Sequence, residues 1–196
     1  MSERWAEAEF EAIFQQHYPR IVRVARRVLE RSCDAEEVCA EVFFRLYRSG
    51  SGVASSGQVG GWLYRTATRA AIDALRAQRR RGLEHELEED LEGSGLIAEG
   101  SAESPLARLL RQERVTEVRN VLATIKVEKA QLLLLRHSGM SYQEIAEAMQ
   151  IGASSVGTKL ARAEAEFSAL YERHRRRTGK APQLQTAKEE QWIAQK

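Results

Sequence analysis

From residue 21 onward, apolar side chains recur at positions 21, 24, 25, 28 and 29, the three- and four-residue steps of one helix face. Arg20, Arg23, Arg26, Arg27 and Arg31 fill the rest of that cylinder, a pattern that suits either a solvated face or a basic patch. The stretch following Pro19 is therefore read as a helix. A second helix is expected to open at Asp34 as N-cap, with Glu37 three residues on and Glu36 adding charge near the positive helix end. Ala35, Val38, Cys39, Val42, Phe43, Leu46 and Tyr47 trace its apolar stripe. Asp34, Glu37, Glu41 and Arg45 lie off that stripe and are open to a partner. Glycines and serines crowd positions 50–61, which marks a loop. A third helix is predicted from about Trp62 to Arg81.

The second half reads the same way. Ser104 followed by Pro105 signals a helix start, as N-cap and first-turn proline. Leu106, Leu109, Leu110, Val118, Val121, Leu122 and Ile125 then follow at roughly helical spacing, and the uniform run Leu132–Leu135 predicts a buried helix. Ser141-Tyr-Gln-Glu144 has the spacing of a capping box ahead of Ile145, Ala146 and Met149. A turn at positions 150–152 leads to a further helix with Gly152 as N-cap and Val156, Leu160 and Ala163 on its buried side. The expected fold class is all-α: two small helical domains joined by a flexible acidic linker, the second holding a helix-turn-helix.

Charge sharpens these boundaries. The 196 residues carry 30 basic and 28 acidic groups, so the net charge of +2 is close to neutral. By segment it is +4 over residues 1–81, −8 over 82–104, +2 over 105–171 and +4 over 172–196. The four segments are read as a first domain, an acidic linker, a second domain and a basic C-terminal tail. The linker has low hydrophobicity and a single sign of charge, which disfavours a packed core. No secretory leader or apolar run of about 18 residues is evident, so no stable membrane insertion is expected and the cytoplasm is the default location.

Candidate chemistry follows from spacing. Trp62 and Tyr64 ahead of Arg65, Arg69, Arg76, Arg79 and Arg80 suit a stacking surface for unpaired bases beside a phosphate track, although Trp62, Leu63 and Ile72 equally suit a core. If the pattern over 141–163 is a helix-turn-helix rather than an ordinary helical hairpin, its second helix offers Ser154, Ser155, Thr158, Lys159 and Arg162 to the major groove. Cys33 and Cys39 fall on different sides of a helix and read as reduced structural thiols. His17, His85, His137 and His174 lack metal-ligand spacing, so no metal, cofactor or catalytic group is expected.

Three stretches, in order, are similar to the extracytoplasmic-function family of RNA polymerase sigma factors: residues 34–47, residues 62–76 and residues 141–149. The resemblance implies that Asp34, Glu37, Glu41 and Arg45 dock on the clamp coiled coil of core polymerase, with Ala40 replacing the usual glutamine. It implies that the Trp62 helix and the preceding loop capture the melted minus-ten element, at a cost of a few kcal/mol per unstacked base. The family's arginine-asparagine pair falls on Thr68 and Arg69, so promoter preference does not transfer. The second domain would read the minus-thirty-five element and contact the polymerase flap, and the linker would follow the RNA path. Gly157, Glu164, Ala165 and Glu166 replace expected polar or cationic positions, leaving Lys159 and Arg162. Arg173, Arg175, Arg176 and Arg177 are candidates to restore backbone affinity. Promoter DNA, core polymerase and an anti-sigma factor are the implied partners. A helix-turn-helix regulator that does not touch polymerase, and a degenerate sigma-like interaction protein, are the alternatives.

Overall fold

A computed structural model describes residues 5–50, 59–80 and 104–178. These form seven helices: α1 (Glu7–Val28), α2 (Ser32–Ser49), α3 (Val59–Arg80), α4 (Pro105–Thr124), α5 (Val127–His137), α6 (Tyr142–Met149) and α7 (Ala153–Arg177). Among the described residues there is no strand, and no helix is long and apolar enough to cross a membrane. Most of the glycine-serine loop, the acidic linker up to Glu103 and the end of the chain beyond Thr178 lie outside the described residues.

Helix α1 begins twelve positions before Pro19 and runs through it. An interior proline costs a helix about 3 kcal/mol. The aromatic residues of the first half offset that cost. Phe14 stacks on Tyr18 at 4.7 Å and meets Phe43 edge-on at 4.9 Å, while Phe10 meets Tyr47 at 5.2 Å. Trp5 is buried ahead of the helix, and its indole N–H donates to the Leu46 carbonyl at 2.9 Å.

Helix α2 starts at Ser32, three residues earlier than its charge pattern suggests, and Arg31 in place of Asp34 holds the N-cap position, without a side-chain cap. Asp34 is thus in the first turn, where its carboxylate accepts from Gln78 Nε2 at 2.7 Å instead of capping. Helix α3 likewise starts three residues early, taking Gly60 and Gly61 from the expected loop into the helix. In α4, Ser104 accepts from the Ala107 N–H as expected, and Val121 and Leu122 are buried. Leu106, Leu109 and Leu110 are not: Leu106 is 65% exposed, so the apolar stripe enters the core only in its second half.

The second domain contains the helix-turn-helix. Both arms of the capping box form: the Glu144 N–H donates to Ser141 Oγ, and the Ser141 N–H donates to the Glu144 carboxylate at 2.7 Å. These bonds hold the Glu144 carboxyl below its ordinary range, and a cap of this kind contributes about 1 kcal/mol. Gln150 closes α6 in the left-handed region (φ 56°), and Gly152 caps α7. Ile145, Ala146, Val156 and Leu160 are buried between the two helices and α5.

Helix α3 is the hub. It packs on α1 and α2 on one side and on α4, α5 and α6 on the other. Leu122, Ile125, Ala130 and Leu134 of the second domain join the same buried cluster as Leu63, Ala67, Ile72 and Leu75 of α3. The two helical domains are therefore packed against each other through a shared core.

Candidate polymerase and nucleic-acid surfaces

The four candidate docking residues do not behave alike. Glu37, Glu41 and Arg45 lie on the exposed side of α2, and Arg45 Nε donates to Glu41 Oε1 at 2.7 Å. Asp34 is half-buried and tied to α3 through Gln78. Phe44 shares the exposed face, at 54% exposure, with the Arg48 guanidinium 5.7 Å from its ring centre. It lies off the apolar stripe, so the hydrophobic pattern does not single it out. The available signal was an aromatic three residues after Glu41 and seven after Glu37, on the polar face.

Cys39 is fully buried behind this face, and desolvation pushes its thiol up to about 12, whereas Cys33 is exposed. Maleimide at pH 7.5 is therefore expected to label one thiol per native chain, at Cys33, and two after denaturation. Rapid labelling of native Cys33→Ser protein would contradict the packing of α1 and α2 around Cys39.

Along α3 the candidate strand-capture residues fall into two groups. Arg69, Arg79 and Arg80 are exposed, with Arg69 Nε 3.9 Å from Asp73. Arg45, Arg65, Thr66, Arg69, Asp73 and Gln131 line a cleft of about 180 Å³, which brings a candidate docking residue of α2 beside two of the α3 arginines. The others, together with the exposed Arg79, contact the second domain or its margin. Trp62 packs at the margin of the shared core. Tyr64 reaches both that core and the helix-turn-helix core, and burial raises its phenol. The Arg65 carbonyl accepts from Gln131 Nε2 at 2.8 Å. Arg76 donates to the carbonyls of Ala123 and Ile125 at 3.0 and 2.6 Å, and Arg79 donates to the Asn120 carbonyl at 2.9 Å. The Ala123 and Ile125 carbonyls lie at the negative dipole end of α4, so the Arg76 guanidinium suits them well, whereas the Asn120 carbonyl also accepts from Thr124 Oγ1 at 2.9 Å. The arginines of α1 are divided in the same way: Arg27 donates to the His137 carbonyl at 2.7 Å, and Arg26 pairs with Glu36 at 2.8 Å.

The candidate recognition helix is less committed. Ser154, Thr158, Lys159 and Arg162 are exposed on one side of α7, and Ser155 is half-buried. A Cβ on Gly157 would stand 3.5 Å from the Tyr142 ring, an ordinary contact. Glu166 is paired with Lys129 of α5, so it does not add free negative charge to the exposed face. Helix α7 continues beyond Tyr171 to Arg177, placing Arg173, Arg176 and Arg177 on its exposed end, with Arg175 over the Tyr171 ring at 5.9 Å. Among the described residues no group of His, Cys, Asp or Glu could hold a metal ion.

Comparison with known proteins bears on both domains. The profile of Sigma-70 region 2 matches residues 13–81, and that of Sigma-70, region 4, matches residues 116–167. The chain is 28% identical over 157 residues to the RNA polymerase sigma-H factor of Pseudomonas aeruginosa, covering 79% of this chain and 81% of that one. It is 25% identical over 175 residues to the ECF RNA polymerase sigma factor SigE of Mycolicibacterium smegmatis, covering 88% of this chain and 65% of the relative.

Proposed function

The chain belongs to the extracytoplasmic-function group of sigma-70 factors, which act in transcription initiation, and from that membership we propose how its two halves divide the work. Residues 1–81 dock on core RNA polymerase and open the minus-ten element. Residues 105–171 read the minus-thirty-five element and contact the flap. Docking runs through Glu37, Glu41, Phe44 and Arg45, where an apolar anchor sits inside a ring of charge, with Asp34 bracing α2 against α3. Strand capture uses Trp62 and Tyr64 for stacking and the α3 arginines for phosphates. Ser154, Ser155, Thr158, Lys159 and Arg162 face the major groove, and Arg173, Arg176 and Arg177 add backbone contacts upstream.

The observation that carries this reading is the pairing, in one chain, of an exposed acidic helix face with a capped helix-turn-helix. A helix-turn-helix regulator needs only the second. The protein is thus read as a non-enzymatic cytoplasmic subunit whose partners are core polymerase, promoter DNA and an anti-sigma factor. Mixed with core polymerase and no DNA, the full chain is expected to form a stable complex, and that complex to initiate from specific start sites. DNA binding by the free chain with no association to core polymerase would instead favour the simple regulator.

A further inference from the structure

The cleft among α2, α3 and α5 lies on the seam between the two domains, and it gathers like charges. Arg65 and Arg69 stand four residues apart on α3 and Arg45 comes from α2, so three guanidinium groups share a space of about 180 Å³. Like charges four residues apart on a helix repel, and a third cation adds to that cost. Arg45 and Arg69 each have a carboxylate nearby, Glu41 at 2.7 Å and Asp73 at 3.9 Å. All four of those side chains are at least half exposed, so the pairs are weak and readily exchanged. Arg65 differs from both. It is half-buried, and among the described residues its guanidinium has no hydrogen-bond or ion-pair partner.

We propose that this cleft is a binding site for a small, multiply charged phosphate anion, with Arg65 as its anchor and Arg45 and Arg69 as further donors. The site itself stands on the geometry of the cleft. Only the source of the phosphate rests on the functional reading above, because a free anion such as pyrophosphate and a backbone phosphate of a captured strand offer the same chemistry.

Charge, size and preorganisation each narrow the ligand. Three cations face one lining carboxylate, Asp73, and that excess of positive charge favours a polyvalent anion over chloride or a single carboxylate. Guanidinium forks match phosphate oxygens in geometry, and the resulting charge-assisted bonds are the strong ones. The Thr66 hydroxyl adds a neutral donor to the same wall. Sites for drug-sized ligands run to about 300–1,000 Å³, so this smaller cleft admits phosphate groups and not a whole nucleoside. Gln131 fixes the backbone that carries the anchor: its Nε2 donates to the Arg65 carbonyl at 2.8 Å and to the Thr68 hydroxyl at 3.2 Å. A donor held in place before binding loses less freedom when the ligand arrives. Further along α3, Arg76 is engaged by two carbonyls at the end of α4, so it does not compete for the same anion.

The test is calorimetric titration of the full chain with inorganic pyrophosphate at about 150 mM salt, where diffuse surface charge is screened. Binding is expected to saturate at one anion per chain. Arg65→Gln should weaken it at least about tenfold, since the anchoring charge and fork are both lost, and Arg65→Lys should recover part of that loss. Arg69→Gln, at an exposed position, should act in the same direction without touching the core. Arg108→Ala removes an exposed arginine of α4 outside the cleft and should change nothing. No saturable binding, or equal losses in Arg65→Gln and Arg108→Ala, overturns the site. A short single-stranded oligonucleotide then distinguishes the sources. If it displaces pyrophosphate, and Arg65→Gln weakens both alike, the site holds a phosphate of the captured strand; if both bind together, it takes a free anion. A chain that binds pyrophosphate in this way but does not associate with core polymerase keeps the site and loses the functional reading. The converse result loses the site alone.

Discussion

Replacing Lys159 and Arg162 together by alanine is expected to lower promoter affinity of the polymerase complex by roughly ten- to a hundredfold at about 150 mM salt. Both side chains are exposed on α7, on the side away from buried Val156, Leu160 and Ala163. They are the only cations between Ala153 and Ala163, so each carries a larger share of the interaction than it would in a recognition helix rich in lysine and arginine. Two lost phosphate contacts should also flatten the slope of log affinity against log salt by about 1.8. A bidentate base contact at either residue would instead relax specificity at one base pair, worth about 1–3 kcal/mol. Titration of a labelled promoter fragment between 50 and 200 mM salt separates the two cases. Unchanged affinity and slope would show that α7 does not face DNA. Helicity should be unaffected, because neither side chain is buried and alanine is the better helix former.

Much of this surface could be read from the residues alone, since a helix-turn-helix is written locally. Its cap, turn and buried positions fall within about two dozen residues, and the structure places Ser141, Glu144, Gly152, Val156, Leu160 and Ala163 as the spacing predicts. The acidic face of α2 was legible for the same reason. The errors came from terms with no local signature. Helix α1 passes through Pro19 because Phe10 and Phe14 find Tyr47 and Phe43 on α2, partners 37 and 29 residues away. The stripe of α4 predicted burial that only its second half finds. Most of all, a run of arginines records where charge lies but not what it meets. Arg76 and Arg79 fit a phosphate track by spacing, and here they meet backbone carbonyls, which every residue possesses and no sequence pattern distinguishes. Gln131 gave no signal either, as one polar residue beside a leucine run.

The shared core carries the second large effect. Ile125→Ala is expected to destabilise the protein by about 2–5 kcal/mol, the usual cost of removing a large aliphatic side chain from a packed interior. Ile125 is 1% exposed and joins the buried cluster that α1, α2 and α3 build, although it belongs to the second domain. It also sits where α4 ends, and its carbonyl accepts the shorter of the two Arg76 bonds. A cavity there removes contacts on both sides of the seam at once. The size of the loss therefore reports how completely the domains share one core in solution. If they do, denaturant unfolding of the parent should be a single transition, and Ile125→Ala should shift its midpoint without splitting it. Val156→Ala, whose side chain is buried wholly within the helix-turn-helix cluster, provides the contrast. In a protein whose domains are separate, either change lowers the stability of the second domain alone and leaves the first with its own midpoint. A full-size loss of stability confined to the second domain would mean that Ile125 serves only its own domain and that the seam is held by its polar contacts.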